Sequence, residues 1–202
     1  MNPSSHYDVI IAGGGPAGSS AAIHLSMRGA RVLLVEQKKF PRPKLCGEFI
    51  SPECAVHFER LQVANALSAA HPADLAATVF YSRNGKNVRV PSSWFGATGV
   101  ALGLSRAEMD ERLLRRASAA GAQVLEAAHA TNVIFEDQTA CGIIIRQGTR
   151  ETTYHAPIIV DGTGRARALT RRLANVNGQR RPSEMLVLRN GHQILQVPQC
   201  DR

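Results

Sequence analysis

Tyr7–Glu36, YDVIIAGGGPAGSSAAIHLSMRGARVLLVE, is the stretch on which the fold turns. Residues 7–12 form a short apolar run rich in β-branched side chains that stops at glycines, the pattern of a fully buried strand rather than a helix. Gly13, Gly15 and Gly18 follow at G-x-G-x-x-G spacing. Residues 16–28 read as a helix with Ala17, Ala21, Ala22 and Leu25 on one face, which Gly29 ends before a second strand, Arg31–Val35. The unit is βαβ. Gly13 suits the tight turn, Gly15 lets the backbone approach a pyrophosphate, and Gly18 lets the helix lie close on the strand. Unpaired N–H groups at the helix start would face the phosphates. Glu36 closes the second strand, where a carboxylate can accept hydrogen bonds from a ribose 2′-hydroxyl.

A glycine-rich turn alone says little, because such turns are common. Here a strand precedes it, a helix follows, a second strand comes next and an acid ends that strand, which is the context that gives the motif meaning. An acid at the ribose also disfavours a 2′-phosphate, so NAD or FAD is expected in preference to NADP.

The chain has 202 residues, 44% hydrophobic and 20% charged, ordinary values for a globular protein of one domain, or one and part of another. No apolar run reaches the roughly eighteen residues of a membrane-spanning helix. The polar start MNPSSHYD lacks the charged and apolar regions of a signal peptide, so a cytoplasmic protein without a transmembrane segment is expected. Cys46, Cys54, Cys141 and Cys200 form no C-x-x-C pair, which supports neither a zinc site nor a disulfide framework. The seven histidines are scattered, and no triad, carboxylate pair or metal cluster singles out a catalytic side chain. The net charge of +8 gathers after Gly164, where eight arginines stand against Glu184 and Asp201. Without interleaved aromatics or a nucleic-acid motif this end reads as a solvated face, not as a nucleic-acid surface.

After Glu36, QKKFPRPKLCGEFISPECA reads as a loop, with a helix from about Pro52 to Leu67. The loop leaves the ligand side of the sheet, although a small apolar filler is the plain reading of Cys46. Residues 78–91 look like a hairpin turning on Asn84–Gly85, the start of a second, substrate-facing sheet. In Leu104–Glu126, Ser105 and Glu108 have capping-box spacing, Met109, Leu113, Leu114 and Ala117 form an apolar face, Gly121 stops the helix, and Gln123–Leu125 supply a third parallel strand. Arg106 sits in the first turn, where the helix dipole disfavours a cation. It answers to an anion or is a solvated surface arginine; the spacing fits both. Ala130–Glu136, Gly142–Arg146 and Thr152–His155 read as an antiparallel meander. Pro157–Val160 is another buried strand, ending in Asp161–Gly162, with a helix starting near Arg165. Taken alone, Asp161 is a turn or cap residue.

In order and spacing these segments resemble the N-terminal half of an FAD-dependent oxidoreductase of the geranylgeranyl reductase type, related to flavin-dependent aromatic hydroxylases (monooxygenases) and halogenases. The resemblance rests on GGGPAG at 13–18, Glu36, PRPKLCGEFISP at 41–52, LSRAEMDERL at 104–113 and VDGTGRARAL at 160–169, and it covers residues 7–174. It implies an α/β fold: a Rossmann-like FAD-binding βαβ domain with an antiparallel meander and part of a second, substrate-facing sheet. Gly13, Gly15, Ala17 and Gly18 would cradle the FAD pyrophosphate and Glu36 the adenosine ribose. Cys46, Gly47 and Phe49 would lie toward the flavin, Arg106 would contact the ribityl or phosphate region, and Ala130 the adenine through its backbone. Asp161 and Gly162 match a motif tied to FAD and NADPH use. NAD(P)H is then the implied reductant and a small isoprenoid or aromatic molecule the implied substrate, with peripheral membrane contact left open.

The later Gly-Asp motif of that family and its second sheet do not occur in the sequence, and the tail at 175–202 resembles nothing in it. The expectation is an FAD-binding domain at 1–174 in an incomplete chain that binds FAD weakly and oxidises NAD(P)H near the free-flavin background. An NAD-dependent Rossmann dehydrogenase and a non-catalytic nucleotide-binding remnant are the alternatives.

Overall fold

The computed structural model describes residues 6–46, 48–95, 99–136, 139–171 and 187–189. In chain order its first elements are β1 (Val9–Ala12), α1 (Pro16–Ser26), β2 (Val32–Val35), β3 (Phe49–Ile50), α2 (Cys54–Arg60), α3 (Ala64–Ser68), β4 (Ala73–Leu75), β5 (Ala77–Tyr81) and β6 (Asn87–Pro91). Then come β7 (Ala101–Gly103), α4 (Arg106–Ala119), β8 (Gln123–Leu125), β9 (His129–Glu136), β10 (Thr139–Gln147), β11 (Arg150–His155), β12 (Ile158–Asp161) and β13 (Val187–Arg189). The chain divides into two compact units, one built from residues 1–40 and 117–202 and the other from residues 41–116.

The first unit carries a five-stranded sheet in the order β13-β12-β1-β2-β8. β12, β1, β2 and β8 are parallel, and β13, from within the tail, adds an antiparallel edge. Every residue of β1 and β2 is buried. That is why these strands read as unbroken apolar runs: a parallel sheet covered on both faces has no polar side to alternate with. Ile10, Leu33 and Ile159 are register partners and share a core with Ile143 and Ile145 of the three-stranded sheet β11-β10-β9. The meander thus lies against one face of the parallel sheet. Helix α1 buries Gly18, Ser19, Ala22 and Ile23, a different stripe from the alanine face expected, with Ala17 exposed. Small residues face inward because the helix start lies close on β1.

The second unit holds a three-stranded sheet, β3-β7-β4, and the separate hairpin β5–β6. The single helix expected from Pro52 to Leu67 is broken into α2 and α3. Gln62, between the buried Leu61 and Val63, takes a left-handed conformation at φ 55°, which turns the chain so that both neighbours enter the core. Arginines of α4 hold the break. Arg116 donates to the Leu61 carbonyl at 3.1 Å and to Gln62 Oε1 at 2.8 Å, and Arg112 donates to the Ala66 carbonyl at 2.7 Å. The hairpin turn is also longer than the Asn84–Gly85 pair. Ser82 and Lys86 close it, the Ser82 N–H reaching the Lys86 carbonyl at 2.8 Å, and only Gly85 has positive φ. This is a three-residue loop, a turn followed by a left-handed glycine.

Ser105 caps α4 as its spacing predicts, its Oγ accepting the Glu108 N–H at 3.2 Å. Where a helix was expected to start near Arg165, a short 3-10 turn, Gly164–Ala166, comes first and helical backbone follows at 170–171. Arg167 after it is left-handed at φ 43°, so the turn cannot run on as a helix.

Candidate functional site

The first unit gathers eight of the sequence-predicted residues: Gly13, Gly15, Ala17, Gly18, Glu36, Ala130, Asp161 and Gly162. Three glycines close the apex where β1 and β12 end. Gly13 has φ +108°, and a β-carbon there would stand 2.6 Å from the Gly162 carbonyl carbon and 2.9 Å from the Thr163 nitrogen. A β-carbon on Gly18 would overlap the Gly13 carbonyl oxygen. Gly162 donates its N–H to the Ala12 carbonyl at 2.7 Å, and Gly13 donates to Val35 at 2.7 Å. First and third glycines are therefore demanded by backbone packing.

The start of α1 has no acidic residue in its first turn and no side-chain cap. Ser19 donates its N–H to Gly15 at 2.9 Å and its buried hydroxyl to the Gly14 carbonyl at 3.0 Å. Pro16 has no N–H. The first N–H groups of a helix have no intrahelical acceptor, which leaves those of Ala17 and Gly18 at the positive end of the helix dipole.

Glu36 is 5% exposed. Its carboxylate accepts the Gly14 N–H at 2.8 Å and the Lys38 N–H at 2.9 Å, and its backbone joins Leu125 and Ala128 at 2.8 and 2.9 Å. One acid thus ties the glycine loop to the segment leading into β9, where the buried Ala130 stands opposite Ile145. Gly14 and Ser19 escaped the sequence reading. The uninterrupted Gly13–Gly14–Gly15 run was the available signal for Gly14.

Asp161 serves its own turn. One carboxylate oxygen accepts the Thr163 N–H and hydroxyl at 3.1 and 2.5 Å, and the other accepts the Leu169 and Thr170 N–H groups and the Thr170 hydroxyl at 3.1, 2.9 and 3.1 Å. Burial alone would raise its pKa, but these donors outweigh burial and hold it below the ordinary 3.8. A depressed folded-state pKa contributes stability that is present above the unfolded value and lost as pH falls through the folded one. Asp161→Ala is expected to cost roughly 1.5–3 kcal/mol at neutral pH. The difference from the parent should shrink below about pH 4, as urea midpoints across pH would show; a pH-independent difference would contradict this.

The second unit carries Cys46, Phe49 and Arg106, and Gly47 lies outside the described residues. Cys46 and Phe49 are exposed. Arg106 forms a bidentate pair with the fully buried Asp110, at 2.8 and 2.7 Å, and Arg42 approaches the same carboxylate at 3.3 Å. Asp110 and the Cys46 side chain beside it keep the Arg106 guanidinium protonated. The cation in the first turn of α4 thus has an anion four residues on, a partner the i, i+4 spacing carried all along. Asp110→Ala removes a fully buried carboxylate from two half-buried guanidiniums and should cost about 3 kcal/mol, measured as a loss in urea midpoint. A change below about 1 kcal/mol would mean that the pair contributes no more than a surface ion pair.

Among the described residues no His, Cys, Asp or Glu group could hold a metal, and no helix is long and apolar enough to cross a membrane. The donor set of the first unit, N–H groups at a helix start and a buried carboxylate at the end of β2, fits a pyrophosphate and a ribose.

Comparison with known proteins identifies the family. The family model for FAD dependent oxidoreductases matches residues 8–177. A digeranylgeranylglycerophospholipid reductase of Sulfolobus acidocaldarius is 30% identical over 83% of this chain and 36% of its own length. A menaquinone reductase of Mycobacterium tuberculosis is 28% identical over 80% of the chain and 39% of its own. Among solved structures, a myxobacterial FAD-dependent chondrochloren halogenase superposes with a TM-score of 0.76 at 29% identity, covering 83% of this chain and 39% of its own. A geranylgeranyl bacteriochlorophyll reductase-like protein of Thermoplasma acidophilum gives 0.67 at 26%, covering 79% and 40%. The chain spans little more than a third of the length of these relatives. The matched residues run from the strand that opens the glycine loop past the Asp161 turn, and the chain belongs to the FAD-dependent oxidoreductase family.

Proposed function

We propose that this chain supplies the FAD-binding part of an oxidoreductase that takes its electrons from NAD(P)H and acts on a small isoprenoid or aromatic molecule. The observation that carries this reading is Glu36, a buried carboxylate held by Gly14 at the end of β2 beside the free helix start. In this reading the N–H groups of Ala17 and Gly18 bind the pyrophosphate, Gly15 lets it approach, and Glu36 accepts the adenosine ribose hydroxyls. Ala130 borders the adenine, and Asp161 with Gly162 shapes the turn behind the glycine loop. Residues 41–116, including Cys46, Gly47, Phe49 and Arg106, are assigned to the flavin and substrate side on the resemblance. Bound FAD supplies the redox chemistry; the chain's residues hold and orient it.

The test is an equilibrium titration of the chain with FAD, ADP, NAD and NADP. FAD should bind saturably, ADP should compete with it, and NADP should bind far more weakly because Glu36 repels a 2′-phosphate. Tighter binding of NAD than of FAD would favour a dehydrogenase instead.

A further inference from the structure

Among the described residues, α4 carries three ion pairs at i, i+4 spacing, and one is unlike the others. Glu108–Arg112 and Glu111–Arg115 place the acid first, the order that the helix dipole favours. Each also keeps one side chain about half in solvent, Glu108 at 47% and Arg115 at 51%. Arg106–Asp110 runs the other way, with the cation at the start of the helix and an acid that is 0% exposed. Both features work against stability. The dipole disfavours that order, and a buried carboxylate must recover its lost hydration from its partners. Stability alone would call for neither.

What the arrangement does provide is orientation. Asp110 grips the Nε and Nη2 edge of the Arg106 guanidinium at 2.8 and 2.7 Å, a two-point fork that fixes the plane of the group as well as its place. Asp110 is itself held, because it is fully buried and Arg42 from the 41–52 loop closes on the same carboxylate at 3.3 Å. Nη1 of Arg106 is left uncommitted to Asp110. We propose that Asp110 is a positioning residue for FAD, acting through Arg106 by holding its guanidinium in the orientation that the flavin side of the cofactor requires. The inference rests on the FAD reading above, in which Arg106 belongs to that side, and adds a residue that supports the ligand contact without making one.

The whole chain and its variants are titrated with FAD and separately with ADP, once circular dichroism has shown which variants fold. Arg106→Gln should weaken FAD about ten- to a hundredfold, the worth of a charge-assisted hydrogen bond, and Asp110→Asn about tenfold. ADP, which lacks the ribityl chain and the flavin, should bind both variants as it binds the parent. Asp110→Asn added to Arg106→Gln should weaken FAD no further, because a residue that acts through another has nothing left to act on. Arg106→Lys leaves Asp110 its counter-charge but removes the planar fork, so it tests orientation even where Asp110→Asn does not fold. Its FAD affinity should fall to nearly that of Arg106→Gln. Parent-like FAD affinity in Arg106→Lys or in a folded Asp110→Asn overturns the proposal, and so do full additivity of the two losses or an equal loss of ADP. A parent chain that binds ADP and NAD but not FAD removes the FAD reading, and this proposal with it.

Discussion

Gly18→Ala should cost more than about 3 kcal/mol and with it the nucleotide site. The added β-carbon would overlap the Gly13 carbonyl oxygen and stand 3.3 Å from the Ile11 side chain. The obstacle is backbone on one side and a fully buried core residue on the other, so neither can swing away. Gly29→Ala is the matched control. Gly29 has φ +84° and open space around it, so the change there should cost only the strain of a left-handed residue, about 1–2 kcal/mol. Urea unfolding of both variants checks the difference. If the two lose the same stability, close packing of α1 on β1 is not what the third glycine provides.

Glu36→Ala is expected to weaken FAD and ADP alike, about ten- to a hundredfold in dissociation constant, since a charge-assisted hydrogen bond contributes roughly 1.5–3 kcal/mol. Both ligands carry the same ribose, so their ratio should stay constant. The ligand-free protein should also lose about 1–3 kcal/mol, because the Gly14 and Lys38 N–H groups that now donate to Glu36 would lack their acceptor. A folded Glu36→Ala variant with parent-like affinity for ADP would remove Glu36 from the ribose.

Much of the first unit was legible because its signals are local. The apolar runs of β1 and β2, the glycines between them and the alternation of the meander each name an element by period and length. The second unit was harder to read, for physical reasons. Gln62 is an ordinary helix residue, and only the burial of Leu61 and Val63 on either side of it breaks the helix there. Asp110 is one charge among many on a charged helix, and one of its partners, Arg42, lies far away in sequence. The α1 stripe was misread at its start, where close approach to β1 selects the small Gly18 and Ser19 before Ala22 and Ile23 continue the buried face. For the same reason the sequence showed the carboxylate of Glu36 but not the Gly14 N–H that holds it.

The contact between Gly13 and Gly162 bears on when the site can form. The glycine motif is complete within the first turn of α1, yet its back wall is the Gly162–Thr163 backbone, supplied only after β12 pairs with β1. Closing so long a loop is entropically costly and slow compared with forming a helix or a hairpin. During synthesis the motif would therefore emerge early and wait, without its wall, until the meander and β12 have followed.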